Sequence, residues 1–435
     1  MPPPTASQSE DGPRRLIRSV PAGMLDAAFA SLAMFSVGIY ATRVFDAATL
    51  GIYAIVFTAF LFASVLPTQL ILVPSEIAAL QQPRGSRLGL LSRSIAIVSP
   101  LSLVAAAIVP VMAVLIPAEV PTSTVVALGG TASVATLVSP IQDHVRRLLH
   151  LSGRSWKAAV VSVAQFVFVL AALGTMSWLG VPKVWIAFGS LAAANTLSMS
   201  VGLVLSRSKS LPDWARELSL VTLMRSGRWL LVAGAVPAAA GFVATWLVVL
   251  LAGPEAAGFA EAARVVGTPI LVLAMGLAAV LGPRSMEAAA AKSRREARRI
   301  AVGFLLFLSA ATALYFLAVG RSWPWNPIPE LLPNAYAVSG LVGMTIAIRW
   351  LHGVVIPSRN ELLGGRREAS MAGVEIVGNG LRVGVAGAAG QLGAWALPWG
   401  GLVLGVTRWL GFHRAKASVY RTSESGGPTD QVPSG

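Results

Sequence analysis

The sequence predicts an all-α membrane protein, with about twelve transmembrane helices forming two homologous six-helix bundles around a central cleft. Three observations carry that prediction. Of 435 residues, 55 % are hydrophobic and only 12 % are charged, against about 25 % charge in an ordinary soluble domain. The charges are clumped between long apolar runs, each near the roughly 20 residues that cross a hydrocarbon core at 1.5 Å per residue. Finally, Lys and Arg concentrate on alternate connections, as they do when basic loops hold a membrane protein in one orientation.

The first twenty residues form a polar tail with Pro2 to Pro4, Arg14, Arg15 and Arg18. No short apolar region with a small-residue cleavage site precedes the first long run, so the first span is expected to act as its own targeting signal. The runs of the first half fall near 21–41, 48–73, 94–116, 124–142, 158–178 and 185–205. Those of the second half fall near 229–251, 265–283, 300–319, 334–356, 371–389 and 393–411. Strands are excluded, because they would need alternating polarity and a closed barrel. The last two runs are the weakest, being interrupted by Gly, Pro and charge. The resulting division is a tail over 1–20, bundles over 21–205 and 229–411, a linker over 206–228, and a disordered tail over 412–435.

Twenty-eight of the 34 basic residues fall on one side of this arrangement; only Arg43, Lys183, Arg264 and Arg321 fall on the other, and Arg349 and Arg382 lie within spans. Positive-inside then places both termini in the cytoplasm, and the expected location is the bacterial plasma (inner) membrane. Trp323 and Trp325 suit an interfacial aromatic belt on the longest outward loop.

Several function classes drop out. There is no cysteine, so disulfide, thiolate and iron–sulfur chemistry are excluded. The four histidines, His144, His150, His352 and His413, lack a ligand-like spacing, and neither metal nor cofactor is expected. The net charge of +15 has its explanation in membrane orientation, and its thin spread argues against nucleic acid. No G-x-x-x-x-G-K-[ST] phosphate loop occurs to drive ATP-powered transport.

The near-central linker prompts a search for duplication. Gly51 matches Gly258, Arg93-Ser94-Ile95-Ala96-Ile97 matches Arg298-Arg299-Ile300-Ala301-Val302, and Arg147 with His150 matches Arg349 with His352. Gly180 and Trp185 likewise match Gly390 and Trp395. Occurring in order at similar offsets, these favour two homologous halves, each with an even number of spans. Their pseudo-twofold axis then runs along the membrane normal. Paired halves with a cleft between them are a transporter architecture that works by alternating access.

The chain lacks the Asp-Arg loop of major-facilitator proteins between its second and third spans. Its first two spans instead resemble the multidrug/oligosaccharidyl-lipid/polysaccharide (MOP) exporter superfamily, in its polysaccharide-flippase (Wzx-like) branch. The resemblance is carried by a small-residue helix around Asp26, Ser31 and Gly38 ending in Ala41-Thr42-Arg43-Val44-Phe45. Leu50-Gly51-Ile52-Tyr53-Ala54 follows, with Pro74-Ser75-Glu76 at the inner end. It is echoed by Gly253-Pro254, Gly258-Phe259, Glu261, Ala262 and Arg264, and by the basic turn Arg146-Arg147 to Gly153-Arg154. It implies a MATE-like fold, and the flipping of undecaprenyl-diphosphate-linked sugars for surface polysaccharide export. The implied partners are membrane lipid, a lipid-linked glycan and the enzymes that assemble it.

A diphosphate-sugar head cannot cross hydrocarbon without cationic partners, and the guanidinium fork pairs bidentately with phosphate. The candidate substrate-binding residues are Arg43, Arg264, Arg349 and Arg382. Each has an alternative reading: Arg43 and Arg264 snorkel from outer helix ends, and Arg349 closes the cytoplasmic end of its helix. Arg382 pairs with Glu375, two turns earlier on the same face. Asp26 and Glu375 are the candidate ion-coupling residues, with Asp26 alternatively anchoring a helix end. Two rival functions stay open, an ion-coupled drug-efflux carrier on the same fold and a membrane-embedded polymerase or glycosyltransferase. The enzyme reading is disfavoured because Asp46, Glu119, Glu255, Glu261 and Glu330 sit on short outer loops with little room for a catalytic domain.

Overall fold

The computed structural model describes residues 13–117, 121–207, 212–319, 326, 332–336, 338 and 340–421. Twelve long helices and no strands occur among the described residues. In the first half these are α1 (Pro13–Val44), α2 (Ala47–Leu80), α3 (Leu90–Val114), α4 (Thr122–Leu151), α5 (Ser155–Trp178) and α6 (Lys183–Leu205). In the second half they are α7 (Leu220–Ala252), α8 (Pro254–Ala290), α9 (Arg294–Val319), α10 (Leu341–Gly364), α11 (Glu368–Ala388) and α12 (Ala396–Arg421). Ten are long and apolar enough to cross a membrane. The two that fall short are α11 and α12, the spans diluted by Gly and charge, and they pack against each other and α7 within the second bundle. The chain is a multi-pass membrane protein.

Local chemistry explains where the observed ends depart from the expected ones. The helix α1 starts at Pro13, so residues 13–20 are helical, while the apolar span within it begins at Pro21, where the first run was expected. Ser219 caps α7, its Oγ accepting from the Thr222 N–H at 3.2 Å, which adds about two turns before the expected start and shortens the linker. That linker carries a short helix, Asp213–Arg216. Gly253 ends α7 at φ +83°, and Pro254 stands at the first position of α8, where it lacks no useful donor. The expected start at 265 therefore falls three turns too late, and Glu261 and Arg264 belong to the helix, not to an outer loop or helix end. A shift in the other direction affects α10: it begins at Leu341, after Gly340 at φ +76°, and continues past a break at Val355 to Gly364. Arg349 is consequently mid-span rather than at a helix end. At the C-terminus α12 runs to Arg421, so 412–421 is helix where a disordered tail was expected. Arg321, Trp323, Trp325 and the rest of both tails lie outside the described residues.

The two halves meet through a matching pair of glycines. A Cβ on Gly51 would lie 1.9 Å from the carbonyl oxygen of Pro254, and one on Gly258 would lie 2.0 Å from that of Ala47. Ala47 and Pro254 are the first residues of α2 and α8. Each glycine thus meets the start of the other helix, the reciprocal contact that a pseudo-twofold axis between the halves produces. The Arg147–His150 match to Arg349–His352 is not part of this symmetry. His150 is one residue from the end of α4, whereas α10 continues for three turns beyond His352.

At the end where α2 and α8 begin, two further bonds join the halves. The Tyr336 hydroxyl donates to the Phe45 carbonyl at 2.6 Å, and Trp246 Nε1 donates to the Leu115 carbonyl at 2.8 Å. Toward the arginine-rich end, α2 takes one π-helical turn, Thr68–Leu72, directly after Pro67. Gly227 and Gly234 of α7 pack on that turn, against the backbone of Gln69 and Leu70 and the Gln69 side chain.

Candidate functional site

Ionisable side chains inside the two bundles are arranged differently. In the first bundle the buried acids Asp26 and Glu76 are each matched. Asp26 of α1 accepts from Ser162 Oγ at 2.6 Å, lies 3.0 Å from His150 Nε2 and 3.7 Å from Arg146 Nε. Glu76 of α2 lies 2.8 Å from His144 Nδ1 and 3.7 Å from Arg147 Nη1, while His144 Nε2 meets Ser94 Oγ at 2.8 Å. Four residues on two turns of α4 thereby tie α1, α2, α3 and α5 together near the arginine-rich end. Deeper in the bundle, Gln165 Nε2 donates to Asn195 Oδ1 at 2.7 Å, and Asn195 Nδ2 to Ser139 Oγ at 2.7 Å. These buried amides satisfy one another as interhelical packing groups.

The second bundle carries more cation than acid. On α8, Glu261 accepts a bidentate pair of bonds from Arg264 one turn later, a spacing that helix geometry brings together. The Arg264 guanidinium also lies 5.0 Å from the centre of the Phe57 ring on α2, a cation–π contact across the halves. Arg349 comes from α10 and passes Gly267 of α8, where a Cβ would lie 3.3 Å from its Cγ. Arg382 comes from α11, with its guanidinium beside Gly241 of α7, where a Cβ would lie 3.7 Å from Nη1. Gly400 of α12 makes room for its backbone; a Cβ there would stand 2.9 Å from the Arg382 carbonyl oxygen. His352 donates Nε2–H to the Gly401 carbonyl at 3.1 Å, since a carbonyl only accepts.

Glu375 does not pair with Arg382. Seven residues along one helix separate two side chains by about 10.5 Å of rise, too far to close, and Glu375 Oε2 instead accepts from Arg408 Nη2 of α12 at 2.7 Å and from Nε at 3.1 Å. Asn379 adds a third donor, from Nδ2 at 3.0 Å. Arg408, expected among the charges of the arginine-rich end, is 17 % exposed and turned inward.

With Arg264 matched by Glu261 and Arg408 by Glu375, Arg349 and Arg382 remain. Neither makes an ion pair or side-chain hydrogen bond among the described residues, and the Nε of each is buried without an acceptor. The charges acting on Arg349 are those of Arg264, Glu261 and Arg382, and Arg382 feels Arg408. The structure therefore brings Arg264, Arg349 and Arg382 into one interior region. Arg43 is exposed in the last turn of α1 and does not join them. Asp26 lies in the other bundle. Glu261, Arg408, His144 and His150 escaped sequence reasoning. The three-residue spacing of Glu261 and Arg264 is a legible signal once α8 is known to start at Pro254, whereas nothing local links Glu76 to His144 or Glu375 to Arg408.

Twelve helices in two pseudo-symmetric halves, with a polar interior in each, define a transporter-type membrane fold. It is the fold of MATE-family transporters of the MOP superfamily. The chain is similar to a multidrug resistance MATE transporter in an inward-facing conformation, with a TM-score of 0.65, 12 % identity, and 93 % of this chain and 96 % of that one covered. It is also similar to the eukaryotic MATE transporter AtDTX14, with a TM-score of 0.64, 14 % identity, and 94 % and 99 % covered. A third neighbour is a MOP superfamily transporter from Pyrococcus furiosus, with a TM-score of 0.61, 14 % identity, and 94 % and 96 % covered. That protein is described as having a binding pocket of reverse polarity that suggests a different function. No family model and no curated protein matches the sequence.

Proposed function

We propose that the protein is an alternating-access transporter that carries a lipid-linked oligosaccharide diphosphate across a bacterial inner membrane, with both termini in the cytoplasm. The observation that supports this reading is the pair of interior arginines without acidic partners, Arg349 and Arg382. Unpaired cations away from water are costly, and an anionic cargo would offset that cost. A diphosphate offers several acceptor oxygens, which suits two guanidinium forks approaching from α10 and α11. Arg264, already held by Glu261 over Phe57, would add positive field without giving up its own partner.

In this reading the head enters from the arginine-rich end while the far end is closed by Gly51 against Pro254, Gly258 against Ala47, and the Tyr336 and Trp246 bonds. Rocking of one half on the other then exchanges the open end. Partners would be the lipid-linked glycan, the surrounding lipid and the glycan-assembly enzymes; no catalytic role, metal or cofactor is assigned. Drug efflux is the second reading, favoured by the multidrug resistance description of one structural neighbour. The two readings differ in the sign of the cargo's charge. The reverse polarity described for the binding pocket of the Pyrococcus furiosus neighbour makes that sign worth testing within this fold.

The deciding experiment is binding and flipping of a fluorescent polyprenyl-diphosphate sugar by the purified protein in proteoliposomes. Loss of a charge-assisted hydrogen bond costs about 1.5–3 kcal/mol, so Arg349→Ala and Arg382→Ala are each expected to weaken binding about tenfold or more. The Lys variants should lose less. Undiminished flipping by the Arg349→Ala/Arg382→Ala double variant, or stronger binding of cationic drugs than of the diphosphate, would remove the proposal.

A further inference from the structure

A second cationic feature lies outside the bundle interior. Lys292, Arg295, Arg298 and Arg299, at the junction of α8 and α9, are all exposed, and their side chains make no ion pair or hydrogen bond among the described residues. Several other basic residues of the same end are engaged by the protein. Arg87 donates to the carbonyls of Gln82, Leu151 and Leu80, Arg93 to that of Leu218, and Arg367 to that of Ser418. Arg146 and Lys416 face acids. Orientation alone asks only that charges be on this side; it does not ask that four of them stand unpartnered within eight residues.

The helix that carries the cluster is the least covered of the ten apolar spans, with 17 % of its apolar window buried. Its outer face continues from cation into hydrocarbon. Arg295, Arg299, Val302 and Leu306 follow the spacing of one helical stripe, and Val302 and Leu306 are 44 % and 65 % exposed. Leu305 and Phe307 flank them, also exposed. Two exposed guanidiniums therefore stand at the end of the span directly in line with an exposed apolar strip. An acidic soluble protein would match the cations but leave the strip unaccounted for.

We infer that this stripe of α9 is a binding site for an anionic phospholipid of the adjacent leaflet, with Arg295 and Arg299 on the phosphate and Val302 and Leu306 against the chains. The site is separate from Arg349 and Arg382 and does not depend on what those residues carry.

The test is native mass spectrometry of the full-length protein released from nanodiscs of equal phosphatidylglycerol and phosphatidylethanolamine. Each basic residue near an anionic surface contributes about 1 kcal/mol, so Arg295→Gln/Arg299→Gln is expected to lower the preference for retained phosphatidylglycerol about tenfold or more. The control removes two charges of the same end that the protein itself engages, Arg93→Gln/Arg367→Gln, whose guanidiniums donate to the Leu218 and Ser418 carbonyls, and should leave the preference within about twofold. Arg295→Lys/Arg299→Lys keeps the charge and should keep most of the preference. An equal fall in the control pair would reduce the cluster to general surface charge. No preference in the unaltered protein, or as great a loss in the Lys pair as in the Gln pair, would also overturn the assignment.

Discussion

Inside a lipid-solvated bundle, a charged side chain is defined by its partner. Glu375 and Arg408 show this, since a carboxylate that is 7 % exposed on its side chain is held by three donors from α11 and α12. Removing one member of such a pair leaves the other charge buried and costs about 3–5 kcal/mol. Glu375→Gln is therefore expected to lower the thermal stability of the purified protein markedly, and Glu375→Gln/Arg408→Gln to recover part of the loss. A double-mutant cycle in thermal unfolding measures that recovery; strictly additive losses would mean that the two residues do not interact. The contrasting prediction concerns Arg349 and Arg382. Because no acid depends on either, Arg349→Ala and Arg382→Ala should leave thermal stability unchanged or raise it while weakening anion binding. A stability loss as large as that of Glu375→Gln would show that the two arginines are structural.

At the scale of helices, the close approach of α2 and α8 depends on two hydrogens where other residues have a side chain. A Cβ at Gly51 or Gly258 would fall at about half a van der Waals separation from a backbone oxygen, and backbone cannot rotate aside as a side chain can. Gly51→Ala and Gly258→Ala are expected to force the helix starts apart and to favour the conformation open at that end. The absence of native cysteine allows a clean readout. A cysteine introduced at Thr49 should react faster with a water-soluble thiol reagent in either glycine variant than in the unaltered background, and the two variants should behave alike because the contact is reciprocal. Unchanged reactivity would show that the contact does not seal that end.

The whole molecule has its charge asymmetry at two levels, along the membrane normal and between the bundles. The first fixes insertion. Single cysteines at Gly85, Ser152 and Gly365 are expected to label from the cytoplasmic face only, and those at Asp46 and Gly180 from the opposite face only. Labelling of both sets from one face would contradict the proposed orientation. The second asymmetry, Asp26 and Glu76 matched in the first bundle and surplus arginine in the second, puts the proposed anion site in the second bundle. Reversing that surplus with Arg349→Glu should abolish diphosphate binding outright, whereas Asp26→Asn in the first bundle should leave equilibrium binding of the diphosphate within about threefold, well under the tenfold change that one charged contact carries.

Solvation and distance separate what was legible in the sequence from what was not. Lipid must cover every long apolar run, and loop charge must respect one orientation, so the sequence by itself determined a helical membrane fold, an even number of spans and two related halves. Even α11 and α12, diluted by Asn379, Arg382 and Arg408, were found by that reading. Helix ends were less legible, because Gly253-Pro254 and Ser219 act through backbone geometry that hydropathy does not register. The site needed the tertiary structure. Whether Arg382 finds Glu375 or loses it to Arg408 is decided by which helix packs beside α11, across 33 residues of sequence. Likewise, only the docking of α8 against α2 brings Arg264 over Phe57 and leaves Arg349 and Arg382 facing one another's charge. Charge on a loop answers to the membrane, which the sequence can see; charge inside a bundle answers to its neighbours, which only the fold supplies.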